Sequence, residues 1–177
     1  MRRYLIFILL TFLVAGCRKD KDAPLSGTFT IDNNLYGDGP YYAFGFSFIS
    51  AGKVSTLDDP PPDVTLVAVT DLYGNILKLN LQTTNFKSSF YRAGEYANAS
   101  DARQAYDNLT SATVTQWEDD ADAIEENQIW IFRSRNEKYA KILITDTFFE
   151  ERDIWPYAEC TFNWAYQPDG TLTFPGK

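Results

Sequence analysis

The chain has 177 residues, 16 of them basic and 24 acidic, giving a net charge of −8, and it contains no histidine. A negative surface repels nucleic acid and anionic membranes, so neither is an expected partner. Without histidine there is no Ser-His-Asp or Cys-His catalysis, no His-ligated zinc and no haem held by a pair of axial histidines.

Arg2 and Arg3 precede an apolar run from Tyr4 to Ala15. The run falls short of the roughly 20 residues that span a bilayer and has the length of a signal-peptide core. It ends in Val14-Ala15-Gly16-Cys17, which resembles the lipobox of bacterial lipoproteins, where cleavage occurs just ahead of a cysteine that is diacylated. Residues 1–16 are therefore expected to be a lipoprotein signal peptide and Cys17 the lipidated residue that ties the protein to a membrane. Two or more acyl chains hold a soluble domain stably, whereas one gives only reversible binding. Residues 17–24, which include Arg18-Lys19-Asp20-Lys21-Asp22, read as lipidated N-terminus and solvated tether. The Lys/Asp run resembles the export signal that sends Bacteroidetes-type lipoproteins to the cell surface. The expected location is the bacterial cell envelope, as an outer-membrane lipoprotein facing the periplasm or the surface. Without Arg2 and Arg3 the balance is 14 basic against 24 acidic residues.

Residues 25–177 are long enough for one domain with a substantial core, and strand patterns dominate them. "GTFTI" comes first. In "YYAFGFSFIS", Phe44, Phe46 and Phe48 alternate with small residues. "DDPPPD" at 58–63 is a stiff connector, since three prolines fit neither a helix nor a ladder. "VTLVAV" is continuously apolar and is expected to be buried on both faces. "ILKLNL" sets Leu77, Leu79 and Leu81 against Lys78 and Asn80, a half-exposed strand, with "DLYGN" as the turn before it and "FKSSFY" after it.

The period changes in the middle. Ser100 as N-cap, followed by Ala102, Ala105, Tyr106 and Leu109, predicts a short helix. Trp117, Ala121 and Ile124 suggest a second one, with Glu118, Asp119, Asp120, Asp122, Glu125 and Glu126 as its wet face. Calcium binding or acid–base work by these carboxylates is the alternative, but no D-x-D-x-D-G loop supports it. "QIWIFRS", "YAKILIT", "CTFNWAY" and "TLTF" return to strands, with Gln167-Pro168-Asp169-Gly170 expected to close a tight hairpin between the last two. Cys160, Phe162, Trp164 and Tyr166 fall on one strand face, so Cys160 reads as a small buried hydrophobe. The fold class is mainly β: an antiparallel β-sandwich-like or strongly curved sheet domain with one or two short helices inserted mid-chain.

"WIFRSRNEKYAKILI", the aromatic strand ending Tyr166-Gln167-Pro168-Asp169-Gly170, and Phe174 together resemble the HmuY-like lipoproteins of Bacteroidetes over roughly residues 129–174; "YYAFGFSFISAGKV" adds a weaker likeness. The resemblance implies a β-rich, lipid-anchored protein. Its founding members capture haem between two histidines, which this chain lacks, so fold and anchoring carry over and the ligand does not. No cofactor is expected.

Aromatic residues outside the strand pattern mark the candidate site. Tyr36 and Tyr41 lie in the Gly/Pro-rich "NNLYGDGPYY", and Trp155 and Tyr157 flank Pro156 in "EERDIWPYAE". Rings beside carboxylates and amides suit sugar faces or the apolar body of a small molecule; otherwise they plug the ends of the sheet. The first reading is a non-catalytic binding module for a small molecule or glycan. The second is a structural subunit of an envelope assembly, docking on an envelope protein through a sheet edge or these loops. The third is a carboxylate-based glycoside hydrolase using Glu150, Glu151 and Asp153.

Overall fold

The structure, a computed structural model, describes residues 23–39, 41–85, 87–152 and 155–176. The expected signal peptide, Cys17 and residues 18–22 of the tether lie outside the described residues.

Alternating burial builds the main sheet. The strands β1 (Ser26–Asp32), β6 (Phe90–Glu95), β7 (Gln128–Arg133), β8 (Tyr139–Glu150) and β9 (Tyr157–Gln167) form five antiparallel strands in the order β1-β9-β8-β7-β6. On β9, Ala158, Cys160, Phe162, Trp164 and Tyr166 all point to one face and are at most 6% exposed. Trp130 and Phe132 of β7 and Ala140, Ile142 and Ile144 of β8 share that face. Two hairpins cover it: β2 (Phe44–Ser47) with β3 (Gly52–Ser55), and β4 (Thr65–Thr70) with β5 (Ile76–Gln82). Phe46 carries the contact, lying 5.5 Å from the Phe162 ring and 5.2 Å from that of Trp164. The result is an antiparallel β-sandwich-like domain with one short helix among the described residues.

The helix, α1 (Ala99–Asn108), packs on the other face of the sheet through Ala102 and Tyr106 against Ile129 and Leu143. Its N-cap is Asn98, not the predicted Ser100. The Asn98 carboxamide oxygen accepts the Asp101 N–H at 3.0 Å, a bond that Ser100, already inside the first turn, is not placed to make. Arg103 ties the helix to the sheet through Asn163, 2.7 Å away. At the C-terminal end the buried Lys141 ammonium donates to the carbonyls of Tyr106, Leu109 and Pro175 at 2.8, 3.0 and 3.3 Å. A cation there complements the helix dipole.

Four sequence expectations change. Residues 117–126 are not a helix: Glu118 bridges Phe90, Ala121 bridges Leu81, and Ala123 takes φ +51°. Their backbone bonds go to β5 and β6 instead of along a helix, and three of the acids serve as partners for Lys78, Gln82 and Ser88. Among the described residues no group of three or more acids or cysteines is placed to hold a metal. That same segment covers the outer side of β5, so Asn80 is buried, its Oδ1 accepting the Ala123 N–H, while Leu77 is exposed.

The third change concerns β4, which is buried on one face only: Val64 and Leu66 are enclosed, but Thr65, Val67, Ala68 and Val69 are part-exposed. Last, "TLTF" forms no hairpin with β9. After Gly170 (φ +82°) the chain leaves the sheet, and Phe174 N–H bonds to Thr110 O beyond the helix. The buried Phe174 and the Lys141 bond to Pro175 pull it there.

Candidate cleft at the end of the sandwich

The loop after β1 and the loop before β9 stand at the same end of the main sheet, because β1 and β9 are paired through Asp32 and Glu159. Asn33 locks their bases together: its amide donates to Pro156 O at 2.9 Å, and its oxygen accepts the Ala158 N–H at 2.8 Å. Between these loops, β4 and the residues that follow β3 and β5, there is a cleft of about 990 Å³. Its size is at the upper end of ordinary ligand pockets, which run to about 1,000 Å³.

Three of the four aromatic candidates line it. Tyr41 and Trp155 are 75% and 72% exposed, on opposite loops, and Tyr157 is half-buried. So much exposed ring area is not sheet packing; it is available to a ligand. Tyr36 does not reach the cleft. It packs on Phe44 and edge-on to Tyr42, at 4.6 and 5.6 Å, and shares a 2.5 Å hydrogen bond with the Ser55 hydroxyl. Its role is to brace the loop that carries Tyr41. Gly37 belongs to the same brace, since a Cβ there would meet the Tyr42 ring at 2.8 Å.

The ionised groups at the cleft are few. Arg152 lies over the Tyr157 ring, 4.1 Å from its centre, and binds Glu150 through both Nε and an Nη, at 3.0 and 2.8 Å. Tyr157 donates its hydroxyl to Glu159, which pushes its pKa up to about 12. Asp38 also lines the wall. The walls also include Leu35, Leu57, Leu66, Val67 and Ala68, with Asn34, Thr65 and Thr83 among the neutral polar groups.

Of the three acids named for hydrolysis, Glu150 is tied to Arg152, Glu151 is exposed, and Asp153 lies outside the described residues. Cys160 is fully buried; burial pushes its thiol pKa up and keeps it protonated.

A second, smaller cleft of about 480 Å³ lies on the far side of Thr84, between Pro60–Pro62 and the β7–β8 turn. Its half-buried carboxylate, Asp63, staples the proline connector to the residue after β2 by accepting the Phe48 N–H at 2.8 Å.

Sequence reading missed Arg152, Leu35, Leu57 and the edge of β4 as cleft walls. The Gly/Pro-rich character of "NNLYGDGPYY" was the signal for the first loop. Nothing local marks the β4 edge, because an edge is defined by which strands pair. No protein-family model matches the chain, and no curated protein matches it.

Proposed function

We propose that the protein is a non-catalytic binding module held at the bacterial outer membrane by the lipid on Cys17, with the cleft as its binding site. The observation that carries this reading is the pair of exposed rings, Tyr41 and Trp155, facing a large cleft from two loops that Asn33 fastens together. The lipobox-like Val14-Ala15-Gly16-Cys17 supports the anchor. No helix of the described residues is long and apolar enough to cross a membrane, which is compatible with anchoring through a lipid alone. The HmuY-like resemblance stands as a proposal for the fold's family, with no part for haem.

A small molecule or a glycan fits the rings and neutral amides. The second reading, docking of an envelope protein, is favoured by the free edge that β4 presents to the same cleft. The test is intrinsic tryptophan fluorescence and thermal shift against a panel of glycans, small molecules and peptides. A ligand that raises the melting temperature should bind Trp155→Ala at least tenfold more weakly, since burying such a ring is worth about 1.5–3 kcal/mol. Equal binding to the variant removes the cleft as the site. Anchoring is tested by Cys17→Ser, which should leave the protein unlipidated and shift it out of the membrane fraction.

A further inference from the structure

The β4 wall carries an inference about what occupies the cleft, and it rests on the cleft being the binding site. In an antiparallel ladder, alternate residues turn both backbone groups to opposite edges of the strand. On β5, Leu81 exchanges both of its backbone bonds with Ala121, and the Leu79 carbonyl accepts the Ile124 N–H. These two residues therefore turn away from β4. Their partners across the ladder are Leu66 and Ala68, which must turn away from β5 and into the cleft they line.

Val64 has the same alternation, and there the edge is paired: Phe46 N–H bonds to Val64 O at 2.8 Å and Val64 N–H to Phe46 O at 3.1 Å. The ladder between β2 and β4 ends with that bridge. No described residue bonds the N–H or C=O of Leu66 or Ala68, although Leu66 is only 4% exposed. Two residues in register with an existing bridge thus turn four backbone groups toward the cleft, from the half-buried Ala68 and the enclosed Leu66. Alternate residues on an edge lie about 6.7 Å apart, the repeat of a peptide strand. An edge of this kind is a template for another strand, and backbone groups left unpaired away from water cost about as much as a lost hydrogen bond.

We propose that the cleft binds an extended peptide segment of a partner protein, which adds as a strand to the Leu66–Ala68 edge of β4. The backbone bonds supply the hold, and the side chains of the segment meet Tyr41, Trp155, Leu35 and Leu57. With Arg152 paired to Glu150, the exposed carboxylate of Asp38 and the net charge of −8 favour a segment of apolar or basic side chains over an acidic one.

The test is selection from a random seven-residue peptide library on the full-length protein in detergent. Enriched peptides should bind the wild type at least tenfold more tightly than Ala68→Pro. Proline at 68 leaves the β4–β5 ladder intact, because that N–H faces the cleft, and it removes the donor. N-methylation of the enriched peptides should weaken binding at one alternate set of positions and not at the other. In the wild type, bound peptide should slow amide hydrogen exchange at Leu66 and Ala68. Failure to enrich, equal binding to both proteins, indifference to N-methylation or unchanged exchange each overturns the inference. Should a neutral oligosaccharide shield Trp155 from quenching while no peptide does, the peptide inference falls and the cleft reading stands. If nothing shields it, both fall. Self-association of the wild type that Ala68→Pro abolishes would assign the edge to a second copy and overturn the partner.

Discussion

The two layers of the sandwich are built to different standards of closure. In the five-stranded sheet, β8 and β9 run side by side over eleven paired positions, flanked by β1 and β7. Both faces of its middle are covered, one by Phe46 and Phe48 and the other by α1. The opposing layer is two separate hairpins, which among the described residues are bridged at Phe46 and Val64, with Asp63 bonding Phe46 and Phe48 beside that bridge. The first layer maximises buried apolar area and paired backbone. The second stops pairing short of its own length, and the candidate cleft opens where it stops. Stability concentrates in one layer and adaptable surface in the other.

That contrast can be broken most severely in the main sheet. Phe162→Ala removes a ring with no exposure, packed against Phe46 and Phe29, and should cost about 3–5 kcal/mol in urea unfolding. Lys141→Met should cost about 2 kcal/mol, because the helix-end carbonyls and Pro175 O lose a charged donor. The loss should appear as early hydrogen exchange in α1 and the C-terminal segment, with the hairpin layer unaffected.

The joint between the hairpins is the next target. At Gly45 a Cβ would sit 2.5 Å from the Pro62 Cβ and closer still to the Val64 carbonyl. Gly45→Ala should part β2 from β4 at a cost of about 1–3 kcal/mol. A rise in exchange at Phe46 and Val64 without change in β8 and β9 would show the layers to be separable; uniform destabilisation would show one cooperative unit.

Asp63 sharpens the same contrast through pH. Burial raises its pKa above 3.8, outweighing the Phe48 N–H and the Ser47 hydrogen bond that lower it. The folded state therefore binds this proton more tightly than the unfolded chain does, and the group lowers stability as pH rises from 3.8 through its folded pKa. Asp63→Asn, which keeps an acceptor for Phe48, should be more stable than the wild type above that window. The gap should close below it, as read by melting temperature across pH. A gap independent of pH would remove the carboxylate as its cause. The smallest effect belongs to the surface: Asp122→Asn loses a pair with Lys78 whose side chains are 53% and 37% exposed, and unfolding free energy in urea should fall by no more than about 0.5 kcal/mol.

Legibility followed how local the signal was. The period-2 burial of β9 and the helix at 99–108 could be read because each pattern is written within a dozen residues. Residues 117–126 misled because apolar positions three and four apart also arise where an irregular segment touches two strand edges in succession, Phe90 and then Leu81. "TLTF" misled for the opposite reason: its alternation suited a hairpin, but Phe174 and Pro175 found a better partner at the end of α1. Among the candidate rings, Tyr41, Trp155 and Tyr157 converge and Tyr36 does not, a distinction set by a hydroxyl bond to Ser55.

By itself the sequence determined the class of fold, the face that β9 buries and the chemistry that the missing histidines exclude, since each depends on residue type and short spacing. It also carried the Cys17 motif, which needs only the order of a few residues. The tertiary structure alone decided that the loop aromatics meet at one end of the sandwich and that β4 keeps an edge free. The first depends on β1 pairing with β9 across more than a hundred residues, the second on where the Phe46–Val64 bridge stops and on Ala121 taking the far edge of β5. Such pairings are chosen by the whole core rather than by any stretch of it.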